Sequence, residues 1–189
     1  YLSNESSGLQ GYQIAKKLNE SGVQTKLILG PSKIKTDENL DLTKVTTSSE
    51  MFEAVKESLP VDVAIFSAAV ADFKIEQKNF KIKKDNNEFN ISLQKNIDIL
   101  KFVSTHNSLR PKLVIGFAAE TNDVIKLAKL KLEQKHCDWI VANDVSNKTI
   151  GFNSTCNEVS IIQKDNQIEK ITKRDKSEIA SLLVQKILK

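Results

Sequence analysis

Three segments that each follow an apolar stretch of chain combine small residues with a carboxylate or an amide. In open α/β sheets, ligands bind beyond the carboxyl ends of the strands, where small residues let the backbone approach the ligand closely. Each segment alone also fits an ordinary turn between a strand and a helix, but together they predict one ligand-binding crevice. The segments are Ser67-Ala68-Ala69-Val70-Ala71-Asp72, Gly116-Phe117-Ala118-Ala119-Glu120-Thr121 and Ala142-Asn143-Asp144-Val145-Ser146.

Three further features indicate an anionic, nucleotide-like ligand. The run Ser3-Asn4-Glu5-Ser6-Ser7-Gly8 precedes a helical pattern, and a helix N-terminus attracts anions through its unpaired N–H groups. Lys131 and Lys135 lie on the apolar arc of a predicted helix over residues 122–135. Five lysines stand against one glutamate between residues 74 and 84. The alternatives are simple N-capping by a serine, snorkelling lysines at a helix end and a solvated basic face.

Alternating β-like and helical patterns must position these residues. They predict an α/β fold with a doubly wound, mostly parallel, Rossmann-like sheet. Two pairs of period-two segments predict hairpins, and the first of these is a β-hairpin flap formed by residues 81–84 and 88–93. Because no repeat and no linker interrupts the pattern, we predict a single domain over residues 1–189. The predicted strands are 26–29, 44–46, 63–67, 112–117, 139–143, 159–162 and 168–171, and the predicted helices include one with a capping box at 47–50, one over 98–105, one over 122–135 and one capped by Asp175 and Glu178.

Composition limits the class of protein. Hydrophobic residues make up 40 % and charged residues 28 % of the 189, close to the averages for globular domains. The longest apolar stretch, 61–70, is well short of the roughly 20 residues of a membrane span, so no membrane partner is expected. A net charge of +4 is too small for a protein that wraps nucleic acid. Cys137 and Cys156 fit no disulfide framework or redox motif, which predicts a cytoplasmic location.

The sequence lacks several familiar nucleotide and metal motifs. It contains no Gly-x-Gly-x-x-Gly and no Walker lysine loop, which weakens a standard nicotinamide-dinucleotide or P-loop interpretation. His106 and His136 have no metal-ligand companions, and Cys137 precedes an apolar strand, so we expect no metal site built from protein side chains. Any nucleotide is therefore held in another way.

Six segments resemble, in order and spacing, those of the bacterial phosphopantothenate-cysteine ligase family. The resemblance implies that CTP and Mg²⁺ activate the carboxylate of 4′-phosphopantothenate as an acyl-cytidylate, from which the amine of L-cysteine displaces CMP in coenzyme A biosynthesis. It also implies a homodimer and fusion to a flavin-dependent decarboxylase domain. The segments are Ser3-Asn4-Glu5-Ser6-Ser7-Gly8, Ser67-Ala68-Ala69-Val70-Ala71-Asp72, Lys81-Ile82-Lys83-Lys84, Gly116-Phe117-Ala118-Ala119-Glu120-Thr121, Ala142-Asn143-Asp144-Val145 and Gly151-Phe152-Asn153-Ser154.

The resemblance also implies roles for individual residues. Lys81 is similar to the flap lysine that meets the triphosphate, and Asn4 to the amide that steadies the acyl intermediate for the second step. Asp72 resembles the aspartate that contacts the nucleotide. The rest of the implied nucleotide site is Phe66, Ser67, Ala68, Ile97, Asp98, Ile99, Leu100, Phe117, Lys131 and Lys135, and the substrate phosphate is assigned to Ser6, Ser7, Gly8 and Ala69.

The chain departs from the family in two places. It has Asn96-Ile97-Asp98-Ile99 where the family usually has Asn-Pro-Asp-Ile, so this loop lacks a fixed φ. It begins at Tyr1, after the family's first strand, glycine-rich turn and Asp-Pro-Val-Arg, so we expect the first, central strand to be missing. Two other functions stay open: a nicotinamide-dependent reductase whose glycine-rich turn would precede Tyr1, and a non-catalytic nucleotide-binding domain.

Overall fold

A computed structural model describes residues 6–75, 91–146 and 154–189 of the chain. Strands and helices alternate through most of its length, as the sequence pattern predicts. The strands are β1 (Lys26–Leu29), β2 (Asp41–Lys44), β3 (Val63–Phe66), β4 (Phe73–Ile75), β5 (Leu93–Lys95), β6 (Leu113–Glu120), β7 (Trp139–Asp144), β8 (Cys156–Gln163) and β9 (Ile168–Asp175). The helices are α1 (Leu9–Glu20), α2 (Ser48–Ser58), α3 (Ile99–Ser104), α4 (Val124–Lys135) and α5 (Lys176–Ile187).

The larger sheet has five strands in the order β3-β6-β7-β8-β9. β3, β6 and β7 are parallel, whereas β8 and β9 form an antiparallel hairpin at one edge. The predicted α/β class and the predicted second hairpin are therefore confirmed, although the sheet is mixed. The edge strand β9 exposes Glu169, Lys170, Lys173 and Arg174, and such charges discourage pairing with another sheet.

β1 and β2 form a separate parallel pair. Within the described residues no strand lies between β1 and β3 and pairs with both of them. The strands that we predicted to form one sheet therefore form two. Helix α1 connects them, because Tyr12 and Ala15 pack on the smaller sheet while Ile14 and Leu18 join the core of the larger one. The two apolar sides of this one helix therefore fix the smaller sheet beside the larger one.

The position of β2 corrects the prediction. β2 covers Asp41–Lys44 rather than 44–46, because the residues that follow it start α2 instead. The N–H of Thr46 donates to Glu50 Oε2 at 2.7 Å, and the N–H of Glu50 donates to Thr47 Oγ1 at 3.1 Å. The predicted capping box of α2 is thus confirmed, and it takes Thr46 out of the strand.

The predicted cap of α5 is wrong. Asp175 occupies the N-cap position but makes no side-chain hydrogen bond to the helix. Because β9 extends to Asp175 opposite Cys156, the carboxylate instead accepts a hydrogen bond from Cys156 Sγ at 3.4 Å. In the predicted flap, residues 81–90 lie outside the described part of the chain. Its described base is the antiparallel pair β4 and β5.

Gly116 lets helix α3 pack directly on the larger sheet. A Cβ atom at this position would lie 2.7 Å from Leu100 Cδ2 and 2.9 Å from Ile140 Cδ1. Leu100 and Ile140 both belong to the buried cluster between the sheet and α4. These distances leave no room for a methyl group, so the glycine is required for close packing rather than for a turn.

Gly116→Ala is expected to destabilise the fold by about 1–3 kcal/mol, the usual cost of overpacking a core. Gly30→Ala is the matched control, because a Cβ atom there would meet only Met51 Cε, at an ordinary 3.7 Å. The free energies of unfolding are compared by urea denaturation. Equal losses of stability in the two variants would contradict the packing assigned to Gly116.

Candidate active site

The three small-residue segments lie at one edge of the larger sheet. β3, β6 and β7 are parallel neighbours that end at Phe66, Glu120 and Asp144. Glu120 and Asp144 are register partners at the ends of their strands. The carboxyl ends of β6 and β7 therefore lie side by side, whereas β3 ends earlier, opposite Gly116, and points to the same edge of the sheet. Ligands of α/β sheets bind at such an edge.

The segment that follows β3 connects the two faces of the sheet. The Phe66 side chain packs against the cluster on the face covered by α3 and α4. Ser67 lies on the opposite face, where a Cβ atom on Gly11 of α1 would come within 2.5 Å of its hydroxyl oxygen. The next residue, Ala68, is exposed. A ligand that lies over Ala68 therefore has access to groups from both faces.

The N-terminus of α1 is the set of hydrogen-bond donors next to Ser67. The helix starts after Gly8, whose φ is 74° and whose position provides no side-chain cap. Within the described residues, the N–H groups of Gln10 and Gly11 donate to no protein acceptor. Together with the positive end of the helix dipole, these N–H groups suit a phosphate.

Hydrogen bonds from neighbouring residues fix the turn before α1. The hydroxyl of Ser32 donates to the carbonyl oxygen of Ser7 at 2.7 Å, and the N–H of Leu9 donates to Ser7 Oγ at 3.3 Å. Ser6 is half-buried at the start of this turn. The structure thus places Ser6, Ser7 and Gly8 at the start of α1, while Ala69 lies in the segment after β3.

Asp98 and Lys135, both assigned to the nucleotide site by the resemblance, form an ion pair between α3 and α4. Asp98 is also the N-cap of α3 and accepts a hydrogen bond from the N–H of Lys101 at 3.0 Å. Burial alone would raise the pKa of Asp98, but the hydrogen bonds from Lys135 and Lys101 outweigh it and hold the pKa below its ordinary value. Lys135 therefore faces α3 rather than solvent, as the helical pattern predicts.

Lys135→Gln is expected to return the pKa of Asp98 towards its ordinary value. Since the folded-state pKa is depressed, the ion pair contributes stability above the unfolded pKa of about 3.9, and this contribution is lost as the pH falls through the folded pKa. The carboxylate is 34 % exposed, so the loss of stability at pH 7 is below about 1 kcal/mol. NMR titration of the Asp98 carboxyl measures the pKa.

Lys126→Gln is the matched control, because Lys126 is an exposed lysine of the same helix. It is expected to leave the titration of Asp98 unchanged. An Asp98 pKa in Lys135→Gln equal to that of the parent would contradict the assigned pairing. Denaturation at pH 7 and at a pH low enough to protonate Asp98 in the folded parent gives the second check, since the difference between Lys135→Gln and the parent disappears once that carboxylate is protonated.

The other residues assigned to the nucleotide differ in exposure. Ile99 and Leu100 are buried, whereas the Ile97 side chain is 54 % exposed. Phe117 and Lys131 are half-buried, and Asp72 is exposed at the start of β4. Because the side chains of Ile99 and Leu100 point into the core, only the backbone groups of these two residues are available to a ligand.

A network around Arg110 fixes the packing of α3 and α4 on the sheet. The Arg110 guanidinium donates to both carboxylate oxygens of Asp138 at 2.9 and 3.0 Å, and to the carbonyl oxygen of Ser104 at 2.8 Å. The second oxygen of Asp138 also accepts from the N–H of Val114 at 2.7 Å. The end of α3 is thus tied to the starts of β6 and β7, which holds Asp98 and Lys135 in place.

Asn4 and Lys81 lie outside the described residues. In the ranges that the structure describes, no group of three or more His, Cys, Asp or Glu side chains is arranged to hold a metal ion. No helix in those same ranges is both long and apolar enough to cross a membrane. Burial raises the pKa of Cys137 to about 11, so its thiol stays protonated at neutral pH and does not act as a nucleophile.

Two residues at this site were not predicted from the sequence. Gly11 lies inside α1, where glycine is about 1 kcal/mol less favourable than alanine, and this mismatch is a signal of a close approach. Asn96 links the segment after β3 to the start of α3. A single asparagine between two predicted elements gives no comparable signal.

The fold and the edge just described define a Rossmann-like α/β domain. The chain belongs to the family described as "DNA/pantothenate metabolism flavoprotein C-terminal domain", which matches residues 1–189. The ligase family that the sequence motifs suggest is thereby confirmed at the level of the domain family.

Named relatives support this assignment. The chain is 39 % identical over 190 residues to "Coenzyme A biosynthesis bifunctional protein CoaBC" of Haemophilus influenzae, covering 100 % of this chain and 47 % of that protein. It is 38 % identical over 189 residues to the protein of the same name from Borreliella burgdorferi, covering 98 % and 47 %. The chain thus spans about half the length of these curated relatives.

A solved structure is similar in fold over almost the whole chain. The crystal structure of the C-terminal domain of a Coenzyme A biosynthesis bifunctional protein CoaBC superposes with a TM-score of 0.79 and 31 % sequence identity. The match covers 96 % of this chain and 82 % of that one. The predicted fold class is therefore confirmed by a known domain as well as by the strand order.

Proposed function

We propose that the full-length protein joins 4′-phosphopantothenate to L-cysteine in coenzyme A biosynthesis. In the first step, a carboxylate oxygen of the acid attacks the α-phosphorus of CTP, pyrophosphate leaves and an acyl-cytidylate forms. In the second, the cysteine amine attacks the acyl carbon, CMP leaves with the bonding electrons and the amine loses a proton. The observation that carries the proposal is the position of the segment 66–72. The N-terminus of α1 lies beside Ser67, and Asn96, just before α3, is hydrogen-bonded to Ala71 and Asp72.

The phosphate of the acid is proposed to bind at the start of α1. The N–H groups of Gln10 and Gly11 point from the helix terminus, and the Ser67 hydroxyl lies beside Gly11. Phosphate oxygens accept from such groups without a neutralising lysine. Ser6, Ser7, Gly8 and Ala69 would complete this subsite.

The nucleotide is proposed to bind on the other face, between the segment after β3 and the start of α3. Asp72 and the backbone of 97–100 would contact the base and sugar, and Phe66 and Ala68 would line the pocket on this face. Ser67 and Phe117, which the resemblance also assigns to the nucleotide, lie on the face of the sheet that α1 covers, so they would border the site from that side. Lys81, Lys131 and Lys135 would neutralise the phosphates, which a carboxylate must approach despite its own charge. Mg²⁺ would be held mainly by the triphosphate oxygens and by water, since this ion usually keeps several of its water ligands.

The assembly is proposed to be a cytoplasmic homodimer in which the flap reaches the partner. Phe73 and Ile75 alternate on β4, and Leu93 stands opposite Ile75 on β5. Their side chains are between 36 % and 50 % exposed, which is unusual for large apolar residues on one ribbon. The curated relatives are named as bifunctional, so we further propose fusion to a flavin-dependent decarboxylase domain.

A strand from upstream of Tyr1 is proposed to complete the domain. Within the described residues β1 pairs only with β2, and β3 only with β6, while α1 packs on both sheets. One further parallel strand would join the two sheets and hydrogen-bond to both inner edges. A chain extended upstream is expected to unfold at a clearly higher urea concentration than residues 1–189. Equal midpoints would contradict this placement.

Equilibrium binding tests the proposed ligand class. The full-length protein is titrated in a calorimeter with CTP and Mg²⁺, with NADPH, and with phosphopantothenate or its dephosphorylated form, pantothenate. We expect binding of CTP and a preference for the phosphorylated acid. Tight binding of NADPH without binding of CTP would instead favour a reductase. Binding of CTP, with no binding of either phosphopantothenate or pantothenate, would favour a non-catalytic nucleotide-binding domain.

A further inference from the structure

Asn96 joins three parts of the molecule through hydrogen bonds. Its backbone N–H donates to the carbonyl oxygen of Asp72 at 2.8 Å, and its side-chain Nδ2 donates to the carbonyl oxygen of Ala71 at 2.7 Å. The hydroxyl of Ser48, at the first turn of α2, donates to Asn96 Oδ1 at 3.1 Å. Asn96 is half-buried, so these bonds are only partly in competition with water.

The orientation of the Asn96 amide follows from its partners. A backbone carbonyl only accepts hydrogen bonds, so the NH₂ group must face Ala71 and the amide oxygen must face Ser48. The two donors of Asn96 thus hold consecutive carbonyl groups, at the point where the segment after β3 becomes strand β4. Aspartate has the same shape but would place a carboxylate oxygen against the Ala71 carbonyl.

Asn96 lies in the chain between the flap base and the start of α3, so its hydrogen bonds to Ala71 and Asp72 link both of these to the segment after β3. Asn96 follows β5 directly and precedes Asp98, the N-cap of α3 that pairs with Lys135. Ile97, between them, leaves φ unrestricted, whereas proline would fix it. The separation between Asp72 and the start of α3 is therefore set by the hydrogen bonds of Asn96.

We propose that Asn96 is a positioning residue for the nucleotide, an inference that rests on the proposed function. It holds the two segments assigned to the nucleotide, 66–72 and 97–100, at a fixed distance and also fixes the base of the flap. It touches no reacting atom in this arrangement. Its loss should therefore weaken nucleotide binding in the ground state and the transition state alike, which raises KM and leaves kcat nearly unchanged.

The test compares three variants of the full-length protein. Asn96→Asp removes the bond to Ala71 and keeps that to Ser48, Ser48→Ala removes only the latter, and Asn166→Asp makes the same chemical change in the exposed turn between β8 and β9. We expect KM for CTP to rise about tenfold in Asn96→Asp, the effect of roughly one hydrogen bond, and about two- to threefold in Ser48→Ala. Asn166→Asp should match the parent.

Hydrogen exchange of the segments 66–75 and 93–100 provides a readout that does not depend on turnover. Faster exchange in Asn96→Asp, at an unfolding midpoint close to that of the parent, supports the positioning role. Parent-like KM and parent-like exchange in Asn96→Asp would overturn it, as would a loss of kcat with KM unchanged. Absence of CTP turnover in the parent would instead reject the proposed function, and the exchange comparison would still decide whether Asn96 holds the two segments.

Discussion

Lys81→Gln in the full-length protein is expected to reduce formation of the acyl-cytidylate by about 10²–10³-fold, the usual effect of removing one group that stabilises developing charge. A carboxylate that attacks a triphosphate brings two anions together, and a flap lysine is the cation that the resemblance assigns to this step. Glutamine keeps most of the length and polarity of lysine but has no charge. Pyrophosphate release in a single turnover measures the step.

Two further variants make this result specific. Lys78→Gln removes another lysine of the same basic segment and is expected to act like the parent. Asn4→Asp is expected to release pyrophosphate normally and to accumulate the acyl-cytidylate, because the role assigned to Asn4 belongs to the second step. Normal turnover in both Lys81→Gln and Asn4→Asp would reject these roles and leave only the fold.

Gly11→Ala is expected to separate binding from stability. Alanine is the better helix former by about 1 kcal/mol, so the fold should be as stable as the parent or slightly more so. A Cβ atom at this position would lie 2.5 Å from Ser67 Oγ, however, and the hydroxyl would have to rotate away. KM for phosphopantothenate should rise about tenfold, the effect of roughly one hydrogen bond to a charged group.

Ser67→Ala is the control for this prediction. It removes the hydroxyl that Gly11 accommodates, so it should raise KM for phosphopantothenate by a similar factor. The double variant should be no worse than either single variant, because both changes act on the same hydrogen bond. Additive losses, or a Gly11→Ala variant with parent-like KM, would contradict a shared subsite for Gly11 and Ser67.

The parts of the fold that follow from local patterns were predictable. The continuous apolar runs of β3, β6 and β7 indicated parallel strands, whose carboxyl ends point to one edge of a sheet. In the structure β3 is only half-buried, however. The capping box of α2 was equally visible in the sequence. The bounds of β2 were wrong because the N–H of Thr46 donates to Glu50 in that capping box. The predicted cap by Asp175 was wrong because its carboxylate accepts a hydrogen bond from Cys156 on the neighbouring strand.

The parts of the site that depend on contacts between distant residues were not predictable. Gly11 and Ser67 are brought together by the packing of α1 on the sheet, and nothing near either residue specifies the other. The bonds of Asn96 likewise join residues that are 25 and 48 positions apart. The division into two sheets depends on which strands pair with each other. The pattern of apolar and polar residues along the chain does not specify that pairing.

The most direct test of the account follows the fate of CTP in the full-length protein. With Mg²⁺ and CTP alone, no nucleotide should be consumed. Addition of phosphopantothenate should release pyrophosphate, and addition of cysteine should then release CMP and form the amide. Release of pyrophosphate first and of CMP second, with each step dependent on its substrate, is the predicted result. Tight NADPH binding with no turnover of CTP under any of these conditions would contradict it.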